Sequence, residues 1–156
     1  MKKKNFCSFY VSEYHLLTIL LPYINEKMSD SKNIEVILED DMIEYVKKYL
    51  KRNEIYNISK ILKLGWKKNK EDIIELKENT DIVVICGHET FVESVNKSIN
   101  NSENVKEIIN CYNIETMTNL NEIVKEHNFI LRTNGLCEVK KSSHNEQKRK
   151  TIQTQI

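Results

Sequence analysis

The sequence predicts a three-layer α/β fold in which helices cover both faces of a mostly parallel, five-stranded sheet. The first observation behind this prediction is that apolar, strand-like segments alternate with amphipathic, helix-like segments along the chain. Such alternation indicates crossover units, which make the strands of a sheet parallel. The second is the run Ile-Val-Val-Ile at residues 82–85, which is typical of a central strand buried on both faces. The strand candidates are residues 5–11, 33–38, 61–65, 81–86 and 105–112.

The length and charge of the chain limit the number of domains and the classes of partner that it can have. A chain of 156 residues fits one domain with a sizeable core, which we place at residues 1–139. Residues 140–156 are polar and rich in lysine, and this composition predicts a disordered basic tail. Since 24 basic residues nearly balance 23 acidic ones, no global field draws the protein to nucleic acid or to a membrane surface, and neither partner is expected.

The first predicted helix begins directly after strand one. Ser12 is a natural N-cap, and residues 16–24 supply an apolar face at helical spacing. His15 lies in the first turn, where a solvated surface position is expected. Pro22 is expected to kink or disturb the helix, because it lacks a backbone N–H. The polar residues 25–32 predict a loop or a frayed helix end.

The later helices follow the same pattern. The acidic triplet at residues 39–41 complements the dipole of a second helix, and a metal site built from its three carboxylates is the alternative. A short third helix is expected at 72–76, a fourth at 91–99 and a last one at 117–126. His127 ends the last helix, where its cation would suit the helix dipole. Extended structure follows, from Phe129 to the region of Gly135.

Cysteine usage and hydropathy favour a cytoplasmic location. No two of the four cysteines form a CxxC pair, which argues against zinc-finger and thioredoxin-like sites. Cys7, Cys86 and Cys111 fall in or at the ends of predicted buried strands, where cysteine usually acts as a small apolar residue. No secretory signal is recognised, and the longest apolar stretch, at residues 16–24, is shorter than the roughly 20 residues that span a bilayer.

The loop after strand one excludes the usual nucleotide-hydrolysis site. A phosphate-binding loop needs glycines and a lysine, so that backbone amides and an ammonium group can hold the phosphates. Residues 10–16 contain neither, and the chain has only 3 glycines. The GxGxxG dinucleotide pattern is absent as well. We therefore expect no cofactor and no ATP hydrolysis by this route.

The carboxyl ends of the predicted strands are where a ligand site is expected, because open α/β sheets bind ligands there. Cys86, His88 and Glu89 are the most suggestive group, since a thiol, an imidazole and a carboxylate follow the central strand. Their possible roles are ligand contact, catalysis through Cys86 or His88, and simple capping and packing. The predicted ligand-binding residues are Tyr10, Ser12, Glu39, Asp40, Trp66, Cys86, Gly87, His88, Glu89, Tyr112 and Asn113.

Three segments, taken in order, resemble a known family. The first is the opening strand and helix at residues 6–24, and the second is the strand and acidic turn at 33–40. The third consists of Cys-Tyr-Asn at 111–113 and His-Asn at 127–128. Together they resemble the MEDS domain, a sensory module of methanogen and methylotroph regulators typified by the dichloromethane-response repressor. The resemblance implies a RecA-like or Rossmann-like fold without a phosphate loop.

The resemblance also implies sensing or signal transduction rather than catalysis. We therefore expect a stand-alone regulator that binds a small ligand or a signalling protein at the strand carboxyl ends. Two alternatives stay open: a small enzyme that uses Cys86 or His88, and a structural protein-interaction domain.

Overall fold

A seven-stranded sheet runs through the centre of the computed structural model, which describes residues 3–53, 67–68, 76, 78–99 and 104–139. The strands are β1 (Lys4–Tyr10), β2 (Ile34–Leu38), β3 (Lys67–Lys68), β4 (Ile82–Gly87), β5 (Glu107–Asn113), β6 (Phe129–Arg132) and β7 (Gly135–Glu138). The helices are α1 (Glu13–Ser29), α2 (Asp40–Arg52), α3 (Glu89–Ile99) and α4 (Leu120–Lys125), with a 3₁₀ turn at Ile114–Thr116.

The sheet is mostly parallel, as predicted. The strand order is β3-β2-β4-β5-β1-β6-β7, and every pairing is parallel except that of β6 with β7. The antiparallel pair is joined by a two-residue turn, Thr133–Asn134, which is followed at once by Gly135, whose φ of 117° suits a residue without a side chain. The observed sheet is therefore wider than the predicted five strands, because β6 and β7 extend it beyond β1.

Helices cover both faces of the sheet. Apolar side chains of α1 and α2 pack on one face, which we call the first face. Those of α3 and α4 pack on the opposite, second face. This arrangement follows from strand alternation, since successive residues of β4, such as Val83 and Val84, contribute to the second and the first face respectively.

Helix boundaries differ from the prediction in three places. Helix α1 continues through Pro22 to Ser29, so Pro22 does not end the helix, and residues 25–29 are helical rather than a loop. The Pro22 ring is exposed, so it displaces no core side chain. The last helix is shorter than the predicted 117–126, because α4 begins only at Leu120, after its N-cap residue Asn119, and ends at Lys125.

Some predictions concern residues outside the described part of the chain. These are the third strand candidate at 61–65, most of the third helix at 72–76, Trp66 and the basic tail at 140–156. Within the described residues, no helix has the length and apolarity needed to cross a membrane.

Candidate functional site at the carboxyl edge of the sheet

The carboxyl edge, by which we mean the edge where the parallel strands end, contains a point where chain crossovers diverge. Strands β2 and β4 are neighbours, with Leu38 aligned with Cys86. Helix α2 follows β2 onto the first face, whereas α3 follows β4 onto the second face. Where crossovers diverge in this way, a crevice between the loops is expected, and such crevices are the usual ligand sites of open α/β sheets.

Glu39 and His88 meet at this crevice. The Glu39 carboxylate oxygen Oε1 accepts a hydrogen bond from the His88 backbone N–H at 2.8 Å and lies 2.7 Å from the ring nitrogen Nδ1. Their side chains are 27% and 43% exposed, so the pair faces solvent. Because Nδ1 is hydrogen-bonded to the carboxylate, the orientation of the ring is fixed, and its second nitrogen, Nε2, can bind another partner.

Gly87 makes the close approach of Glu39 possible. A Cβ atom at position 87 would lie 2.6 Å from Glu39 Oε1 and 2.7 Å from a ring carbon of Phe91. Both distances are shorter than real Cβ contacts. The prediction that Gly87 belongs to the site therefore has a physical basis, since any side chain there would displace Glu39.

Cys86 lies behind this pair and away from solvent. It is fully buried on the first face and is aligned with Cys111 of β5. Burial, and then hydrogen bonding to Cys86, raises the pKa of the Cys111 thiol. A buried thiol beside a protonated one is a poor nucleophile, because the thiolate is the reactive form. The geometry therefore disfavours the alternative in which Cys86 is catalytic.

Tyr10 and Tyr112 lie on opposite faces of the sheet. Tyr10 packs on the first face, where its hydroxyl approaches Met42 Sδ at 3.6 Å, whereas Tyr112 stacks on Phe9 on the second face. The two tyrosines, both predicted to bind a ligand, therefore do not line one cleft. The reason is strand register: Phe9, and not Tyr10, is aligned with Tyr112.

Other predicted site residues have local roles. Ser12 is the N-cap of α1, as predicted, because its hydroxyl accepts from the His15 N–H at 3.1 Å. Asp40 is an exposed residue in the first turn of α2. The Asn113 side chain accepts from the Glu115 N–H and so forms the 3₁₀ turn. Among the described residues, no group of histidine, cysteine and carboxylate side chains could bind a metal ion.

Glu89, in the first turn of α3, contains a buried carboxylate oxygen without a partner. Its Oε1 atom is shielded from solvent and accepts no hydrogen bond within the described part of the chain. Buried polar atoms without a hydrogen-bond partner are rare in folded proteins, and an unbound ligand or partner is one explanation for them. This one is adjacent in sequence to His88, at the same crevice.

Sequence reasoning missed a polar network on the second face. The Asn96 Nδ2 group donates to Val92 O and to Asn110 Oδ1, and Asn110 Nδ2 in turn donates to His127 Nε2 at 3.0 Å. His127 Nδ1 donates to Ile123 O at the end of α4. His127 is therefore buried at the end of α4, and both of its ring nitrogens have hydrogen-bond partners. A visible signal was Asn110, a polar residue inside an apolar strand.

Sequence reasoning also missed a small pocket where β1 and β6 end. The pocket encloses about 200 Å³ and is lined by residues of β1, α1, β6 and the turn after β6. Arg132 and His15 are its titratable residues. Neither was predicted to form part of a site, because nothing local in the sequence places β6 beside β1.

Comparison of the chain with protein-family models, with curated proteins and with solved structures gave no match.

Proposed function

We propose that this chain is a stand-alone sensory or regulatory module that binds a small ligand or a signalling protein at the carboxyl edge. The observation that supports this proposal most directly is the Glu39–His88 pair. It combines an oriented, half-exposed imidazole with a carboxylate at the crevice between β2 and β4. A binding site needs such polar groups in a fixed geometry, and it needs them accessible.

Two further features agree with a sensory role of the MEDS type. Two strands separate β1 from β2 in the sheet, so the strand order differs from the common Rossmann order, in which these two strands are neighbours. The β1–α1 loop contains no phosphate-binding sequence, so a RecA-like core would here serve binding rather than nucleotide hydrolysis. As part of the same proposal, the module works in the cytoplasm, where Cys7, Cys86 and Cys111 stay reduced.

The small-enzyme alternative is weaker on geometry. The thiol of Cys86 is buried, and the His88 ring is bonded to Glu39 rather than to Cys86 in the described residues. A nucleophile and its base should lie within hydrogen-bond reach of each other. His88 could still act alone as a general base, so the binding experiment is paired with a search for turnover.

Native mass spectrometry of the purified full chain tests the proposal. We expect a small molecule or partner to co-purify with the unmodified protein and to be lost from His88→Ala and Glu39→Ala. Glu44→Gln, which changes an exposed carboxylate of α2 away from the crevice, is the matched control and should retain it. Retention by all variants, or consumption of the bound compound in solution, would contradict a sensory site at Glu39 and His88.

A further inference from the structure

Asn134 and Gly135 form the only Asn-Gly pair of the chain, and they lie at the turn between β6 and β7. Both residues are exposed. Asparagine is one of the chemically labile side chains of proteins, because the next backbone nitrogen can attack its amide carbon and close a succinimide ring. The residue after the asparagine decides how hindered that nitrogen is, and glycine hinders it least because it has no side chain.

The surroundings of Gly135 leave its backbone nitrogen unhindered. A Cβ atom built at position 135 would meet no atom within 4 Å. Asn128, at the other end of the same hairpin, is exposed too, but it precedes the bulky Phe129 and its Oδ1 atom accepts from the Asn5 N–H at 3.0 Å. Of these two exposed asparagines, only Asn134 is followed by an open backbone nitrogen.

Arg132 is a charged neighbour of Asn134 that has an unused donor. Both residues line the pocket at the ends of β1 and β6, and no aspartate or glutamate is among the lining residues. The Arg132 Nε atom is shielded from solvent and makes no hydrogen bond to any described residue. A guanidinium keeps its charge in proteins, so a buried donor of this kind is costly to leave without an acceptor. A carboxylate at position 134 would supply that acceptor.

We propose that Asn134 deamidates spontaneously in the folded protein and that the resulting carboxylate pairs with Arg132. The Gly135 nitrogen forms a bond to the Asn134 amide carbon, and the bond from that carbon to the side-chain nitrogen breaks. The side-chain nitrogen leaves as ammonia, taking the proton that the Gly135 nitrogen gives up. Water then opens the succinimide ring and leaves aspartate or isoaspartate, so no oxidant or reductant takes part. Either product adds one negative charge beside the guanidinium, which favours a charge-assisted hydrogen bond.

Peptide mass spectrometry of the full chain, incubated at physiological temperature in mildly alkaline, heavy-oxygen water, tests the modification. Trypsin places Asn134 and the control residue Asn128 in neighbouring peptides, residues 133–140 and 126–132. We expect a product with one heavy oxygen atom to form at least about tenfold faster at Asn134 than at Asn128. Digestion in ordinary water separates this reaction from deamidation of the peptides themselves. Asn134→Gln should abolish the fast reaction, and equal rates at the two asparagines would overturn the proposal.

Asn134→Asp introduces the carboxylate directly and tests its pairing with Arg132. Because asparagine and aspartate suit a turn equally well, the added charge is the main difference from the unmodified chain. We expect a higher urea midpoint of unfolding, with a smaller gain in high salt. In the Arg132→Gln background the gain should fall to less than about half. No gain over the unmodified chain, or an equal gain in both backgrounds, would overturn the pairing. The first comparison retains Arg132 and does not depend on the folding of the Arg132→Gln variant. Neither experiment involves Glu39 or His88, so its outcome is independent of the proposed function.

Discussion

His88 and His127 show how differently the carboxyl edge and the second face of this sheet use the same side chain. His88 is at the carboxyl edge, half-exposed, and bonded through Nδ1 to Glu39. His127 is buried beside Tyr112, and both of its ring nitrogens have partners within the protein. A histidine whose two nitrogens are satisfied contributes to the fold, whereas one with an accessible nitrogen can serve a ligand.

The same comparison applies to the polar residues around each histidine. On the second face, the hydrogen bonds run without a gap from Val92 through Asn96 and Asn110 to His127. At the carboxyl edge, Glu89 Oε1 is buried without a donor in the described residues. The polar groups of the second-face network thus bond to one another, as expected of a structural role. The carboxyl edge contains a polar atom without a partner, as expected of a binding site.

The largest difference should be in stability. Replacing His127 by alanine leaves Asn110 Nδ2 without its acceptor and creates a buried cavity, whereas Ile123 O keeps the Glu126 N–H as a donor. We expect a loss of about 3 kcal/mol. His88→Ala should cost less than about 1 kcal/mol, because its side chain is 43% exposed. Urea unfolding followed by circular dichroism measures both. Equal losses would mean that the two histidines do not differ in role.

Thiol reactivity tests how closed the sheet is behind the edge. Burial raises the pKa of the Cys7 thiol and that of the Cys111 thiol, so both stay protonated in the native protein as the pH rises from about 7 to about 9. Cys137 is partly exposed, whereas Cys7, Cys86 and Cys111 are buried. We expect one thiol to react with Ellman's reagent, with the others slower by about 100-fold.

The control for this measurement is Cys137→Ser, which should abolish the fast phase and leave the slow one. A fast reaction at two or more thiols of the folded protein would show instead that the interior around β4 opens readily. That result would return Cys86 to consideration as a reactive group.

Local signals explain which parts of the fold could be predicted. The cap at Ser12, the buried run of β4 and the acidic start of α2 depend on neighbours within a few residues, and the structure contains all three. Pro22 does not end α1, because an exposed proline is tolerated when the rest of a long helix packs well. The sequence correctly predicted that Glu39 and His88 follow strand ends. It did not indicate that Tyr10 and Tyr112 lie on opposite faces of the sheet.

The features that could not be predicted depend on contacts between residues far apart in the sequence. Neither the register of β1 on β5 nor the position of β6 beside β1 is encoded in any short segment. The face of Tyr112 and the pocket at Arg132 both depend on these pairings. Asn110 and His127 are 17 residues apart, and their contact likewise requires the sheet.

Gly87→Ala should disturb the edge without touching the second-face network. The added methyl group would overlap Glu39 and Phe91, and we expect a loss of about 2 kcal/mol. In the double variant with Glu39→Ala, the loss should be smaller than the sum of the two single losses, since removing Glu39 relieves one overlap. Strict additivity in urea unfolding would mean that Gly87 and Glu39 do not compete for space.

The smallest effect is expected for the charge of Glu39 itself. Glu39→Gln keeps an oxygen that can accept from the His88 N–H, so only the ionic part of the contact is lost. Because the two side chains are 27% and 43% exposed, we expect less than about 1 kcal/mol, and Glu39→Ala should cost more than Glu39→Gln. Urea unfolding in low and high salt measures this difference. A charge that stabilises the fold so little, yet orients an accessible imidazole at a crevice, is better explained by binding than by folding. A loss of 2 kcal/mol or more for Glu39→Gln would instead make the pair a structural clamp between β2 and β4, and the contrast with His127 would disappear.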